Sequence, residues 1–126
     1  MQAAKLTGCK NISRIERVSD FEICALDWGK AILRVSQPID ETIRFVGIRA
    51  HELMPVFADN GKFDNLIKIH IVNQSQTPFE KQIVFKNAAA PDFNNQAELW
   101  WEYNKGAIPA LPQILRMPPE NLLLLT

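Results

Sequence analysis

Apolar and polar residues alternate one by one along most of this chain, which is the period of a half-buried β-strand rather than of a helix. Asn11 to Val18 reads as a first strand. Phe21, Ile23 and Ala25 then alternate with Glu22, Cys24 and Leu26, and Ala31, Leu33 and Val35 with Ile32 and Arg34. Asp27-Trp28-Gly29-Lys30 between them is a tight-turn signal, so 21–27 and 31–36 predict a hairpin. Ser36 to Glu41 is a loop broken by Pro38, and Ile43 to Ile48 is a further strand-like run. Residues 51–57 predict a short turn or strand, ended by the polar stretch Ala58 to Lys62.

The second part repeats this texture. Leu66 to Val72 is rich in β-branched residues and predicts a strand. Asn73 to Pro78 reads as a loop, and Phe79 to Lys86 alternates again. Asn87 to Asn95 is small, polar and loop-like. In Glu98 to Tyr103, Leu99, Trp101 and Tyr103 share one face and Trp100 takes the other. Pro109, Pro112, Pro118 and Pro119 exclude long helices near the end, and Leu122 to Leu125 predicts a terminal strand. Short strands with frequent turns predict an all-β fold, a small barrel or sandwich. Ile48-Arg49-Ala50-His51-Glu52-Leu53 has a faint echo in Leu115-Arg116 followed by Pro119-Glu120-Asn121-Leu122, which implies two similar halves, 1–57 and 58–126.

Composition narrows the classes. The 126 residues fit one domain, or two very small halves sharing a core. The chain is 47% hydrophobic and 22% charged, as in soluble globular proteins, with a formal net charge of zero. That balance argues against a general nucleic-acid binder, which needs a basic surface. No apolar window is long enough for a membrane span and Met1 to Lys5 has no signal-like core, so a cytoplasmic location is expected. Cys9 and Cys24 are then expected as reduced thiols; with His51 and His70 they lack zinc-site spacing, and no metal is expected.

No catalytic signature is present: the GxSxG elbow, the HExxH helix and the phosphate loop GxxxxGK[ST] are all missing. The chain is therefore expected not to be an enzyme and to need no cofactor. Two corners carry the remaining chemistry, Thr7-Gly8-Cys9-Lys10-Asn11 and Gly47-Ile48-Arg49-Ala50-His51. Each sets a cation beside small residues at a strand end, where backbone N–H groups can approach a small oxyanion closely. Trp100, Trp101 and Tyr103 read as core plus subunit interface, with base stacking as the alternative.

With these corners and the C-terminal ending, the chain resembles the C-terminal regulatory domain of ABC-type importer ATPases, the TOBE or Mop-like domain of the molybdate/sulfate/tungstate branch. The likeness lies in Lys5 to Ser13, in Phe45 to Leu53 and in Leu99-Trp100-Trp101-Glu102 with Pro118 to Leu125. It implies an OB-fold-related small β-barrel, often in two pseudo-repeated parts. Implied partners are the nucleotide-binding domain of the same ATPase and a second copy in a homodimer. The membrane enters only through the transporter permease. Gly8-Cys9-Lys10-Asn11 resembles the family's Ser-Ala-Arg-Asn segment, with Asn11 matching. Arg49-Ala50-His51 resembles its Lys-Ala-Ser segment, with Ala50 matching. The resemblance thus implies oxyanion binding by Gly8, Lys10, Asn11, Arg49, Ala50 and His51, favouring an inactive arrangement of the attached ATPases, and an interface at Trp100 and Trp101. A ligand-free dimerisation module and an OB-type oligonucleotide binder are the alternatives.

Overall fold

A computed structural model describes residues 11–57, 61, 63–90, 93–108 and 110–126. Among the described residues, ten strands form two antiparallel sheets. These are β1 (Asn11–Ser19), β2 (Glu22–Ala25), β3 (Ala31–Arg34), β4 (Phe45–Ile48), β5 (Met54–Val56), β6 (Leu66–Gln76), β7 (Glu80–Asn87), β8 (Leu99–Asn104), β9 (Ile114–Arg116) and β10 (Leu123–Leu125). One sheet runs β10-β4-β1-β2-β3 and the other β5-β9-β6-β7-β8, and neither closes on itself. The fold is all-β, and no helix among the described residues is long and apolar enough to cross a membrane.

The two sheets have the same plan. Replacing β1 to β4 by β6 to β9, and β10 by β5, turns the first order into the second. The registers agree as well. Ile12 faces Gly47 and Arg14 faces Phe45, as Leu66 faces Arg116 and Lys68 faces Ile114. Leu123 faces Gly47 as Met54 faces Arg116. The β1–β2 ladder slips between Arg17 and Ser19, and the β6–β7 ladder slips between Ile71 and Asn73. Each sheet takes its last strand from the far part of the chain. The crossings are short 3₁₀ turns, Ala50–Glu52 before β5 and Pro119–Asn121 before β10.

Both sheets bury one shared core. Ile23, Leu33 and Val46 from the first pack with Ile83, Phe85, Leu99 and Trp101 from the second. The alternation that predicted the strands is the alternation of burial. Ile23 and Ala25 are buried while Glu22 and Cys24 are half-covered, and Leu33 is buried between exposed Ile32 and Arg34.

Two sequence expectations need correction. Asn73 to Gln76 is not loop: it continues β6, paired with Val84 to Lys81 of β7. These polar residues are exposed, so cross-strand hydrogen bonding holds them and no hydrophobic alternation announces them. Residues 114–116 form β9 in a stretch read only as proline-interrupted. Pro112 and Pro118 lie outside the three paired positions, so no ladder N–H is lost.

Side chains of two buried asparagines stitch the sheets together. The Asn11 amide donates to the Trp100 carbonyl at 2.9 Å and accepts from the Trp100 N–H at 2.7 Å. The Asn65 amide does the same to Arg34 on β3, with both bonds at 2.7 Å. β3 and β8 are edge strands, and each asparagine thus satisfies backbone groups that an edge leaves open.

Candidate functional site

The 3₁₀ turn Ala50–Glu52 abuts β8 and presents His51 at the surface. Arg49 and Leu53 flank the turn in extended conformation, and Leu53 is buried beside it. The Leu53 carbonyl accepts the Trp101 indole N–H at 3.1 Å, which fixes the turn against the second sheet. The Trp101 ring stacks on Tyr103 at a centroid distance of 4.3 Å.

Two carboxylates meet His51 there. Its Nε2 lies 3.1 Å from Glu80 Oε2 and 3.2 Å from Glu102 Oε2. Glu102 faces Gln82 across β7 and β8, and Glu80 stands two residues before Gln82 on β7. The pleat therefore puts all three side chains on one face. The Gln82 amide donates to Glu102 Oε1 at 2.9 Å, and the Ser75 hydroxyl donates to Gln82 Oε1 at 3.3 Å. Glu80 is set by the hairpin tip: its N–H donates to Thr77 Oγ1 at 3.0 Å, and the Thr77 N–H donates back to its carbonyl at 2.9 Å.

This cluster stands on the part of the molecule where the two sheets differ. Past its slip the β1–β2 ladder has one further pair, Ser19 with Glu22. The β6–β7 ladder continues through Asn73–Val84, Gln74–Ile83, Ser75–Gln82 and Gln76–Lys81. Both hairpins end alike, in Ser19-Asp20-Phe21-Glu22 and Thr77-Pro78-Phe79-Glu80. Only the longer one carries its glutamate to His51. The cluster lies between two surface grooves of about 250 and 330 Å³. Glu80 lines the first, His51 the second and Glu102 both. An imidazole and two carboxylates within 4.8 Å of one another can share a proton or hold a cation.

The oxyanion set fares unevenly. Gly8 and Lys10 lie outside the described residues. Asn11 is buried, with both amide ends engaged by Trp100. Arg49 pairs with Glu52 at 3.5 Å, Ala50 is buried, and His51 faces two carboxylates. Asn11 thus spends both amide ends on Trp100, whereas Arg49 gives one guanidinium nitrogen to Glu52 and His51 one ring nitrogen to the carboxylates. Of the two interface residues, Trp101 is buried in the core and Trp100 is half-buried. Sequence reading singled out His51 but passed over Glu80 and Glu102. The matching Phe-Glu at the two hairpin tips was the available signal for Glu80.

Elsewhere, Arg14 holds Asp27 by two guanidinium bonds to Oδ1, at 2.8 and 3.2 Å, and by its backbone N–H to Oδ2 at 2.9 Å. The guanidinium bond keeps the Asp27 carboxyl below the usual range. Partial burial raises the Cys24 thiol, and Glu16 adds to that while Lys30 opposes it. Compared with known proteins, the chain matches no protein-family model and none of the curated proteins.

Proposed function

We propose that this chain is a non-catalytic accessory domain of an ABC-type importer ATPase of the oxyanion branch, acting through subunit contacts. The observation that carries the reading is the strand plan and register that occur twice with the last strands exchanged. It agrees with the two pseudo-repeated parts that the resemblance implies. The Asn121 side chain also donates to the Glu52 carbonyl at 3.2 Å, so the third residues of the two 3₁₀ turns meet each other. Contact between corresponding positions is what a two-fold relation between halves produces.

Within that reading, the geometry favours contacts over oxyanion sensing. An anion at Asn11, Arg49 and His51 would have to displace Trp100, Glu52, Glu80 and Glu102 from them. A contact-making domain is expected to self-associate through half-buried Trp100. Sedimentation equilibrium of the chain tests this. The expected mass is twice 14.3 kDa for wild type, falling to 14.3 kDa for Trp100→Ser. A wild type that stays at 14.3 kDa at every concentration would refute it.

A further inference from the structure

We propose that His51, Glu80 and Glu102 bind one first-row divalent cation of the zinc type. The inference is independent of the accessory-domain reading. Three donors from three separate elements, a 3₁₀ turn and strands β7 and β8, converge on one point. Both carboxylates address the same imidazole nitrogen, at 3.1 and 3.2 Å. That nitrogen carries at most one hydrogen, so it can donate to only one of the two oxygens at a time. A cation in place of that hydrogen takes the nitrogen lone pair and both oxygens together.

The donor set decides the class of ion. One neutral imidazole and two carboxylates suit zinc and its first-row neighbours, whereas calcium and magnesium take all-oxygen shells. The pair of negative charges neutralises the ion, and three protein ligands leave positions for water. Glu102 is already oriented: Gln82 holds its other oxygen, and Ser75 holds Gln82. Such outer partners fix ligand geometry in metal sites. The hairpin extension that supplies Glu80, Gln82 and Ser75 has no counterpart in β1–β2, so the cluster is an addition to the shared plan. Grooves on both sides give an ion and its waters access.

Zinc chloride titrated calorimetrically into the folded chain tests the proposal. One saturable site per chain is expected. His51→Gln and Glu80→Gln should each weaken binding more than ten-fold, and Gln82→Ala about ten-fold through lost orientation of Glu102. His51 and Glu80 are 61% and 41% exposed, so glutamine at either should leave circular dichroism and melting unchanged. Should one variant fail to fold, the other carries the comparison. Cobalt absorption gives a second readout, an imidazole-dependent visible band lost in His51→Gln. No saturable heat in wild type, or full affinity retained in both glutamine variants, would overturn the proposal.

Discussion

Replacing Asn65 by alanine should be among the costliest single changes in this protein. Its amide accepts from Arg34 N–H at 2.7 Å and donates to the Arg34 carbonyl at 2.7 Å and the Met117 carbonyl at 2.8 Å. The residue is 8% exposed, so water cannot easily replace these bonds. At about 0.5–1.5 kcal/mol net each, three bonds contribute roughly 1.5–4.5 kcal/mol. Asn65 also sits at φ 55°, in the left-handed region that asparagine tolerates better than alanine. That adds about 1 kcal/mol, for a total of roughly 2.5–5.5 kcal/mol. For a chain of this length each kcal/mol moves Tm by about 3–5 °C, so Asn65→Ala should lower it by roughly 8–28 °C. Asn65→Gly separates the two contributions. It loses the same bonds without the φ penalty and should be about 1 kcal/mol more stable than the alanine variant. Urea unfolding of the three proteins measures this. A loss below about 1 kcal/mol in Asn65→Ala, or alanine no worse than glycine, would refute the reasoning.

Further outcomes follow from the same contacts. Gly29→Ala should cost roughly 2–4 kcal/mol in urea unfolding, because Gly29 has φ 70° and a Cβ there would stand 2.6 Å from the Ala90 Cβ. Trp101→Phe should destabilise more than Trp28→Phe by about 2 kcal/mol. Trp101 loses its bond to Leu53, whereas the Trp28 indole N–H is buried with no partner among the described residues. Asp27 has a depressed folded pKa, so its stabilisation is present above the unfolded value of about 3.9 and is lost as pH falls through the folded value. Asp27→Asn should therefore be less stable than wild type at neutral pH, with the difference closing in acid, as read from urea midpoints across that range.

The sequence made the strands legible wherever burial alternates. Ile23-Cys24-Ala25 and Leu99-Trp100-Trp101 each mark core and outer faces, and the structure keeps those faces. It was silent where pairing alone holds the chain, as in Asn73 to Gln76, whose exposed polar residues look like loop. The exchange of β5 and β10 between sheets was illegible for another reason. Both are three-residue strands, and nothing local tells a short strand which sheet it will join. In the strand registers Arg116 corresponds to Gly47, two positions before Arg49, so the sequence echo of Arg49 with Arg116 is not the structural correspondence. His51 stood out beforehand as an anion donor because it follows a cation at a strand end. Its actual neighbours come from 29 residues further along, Glu80, and from β8, Glu102. Only tertiary structure brings them together, and they change the sign of the charge the corner faces.

The proposed contact role supposes that Asn11, Arg49 and His51 are engaged within the protein rather than by an oxyanion. Calorimetric titration of molybdate, tungstate and sulfate into the folded chain tests it most directly. No saturable heat is expected with any of the three. Saturable binding that Arg49→Gln abolishes would contradict it and restore the corner as an oxyanion site.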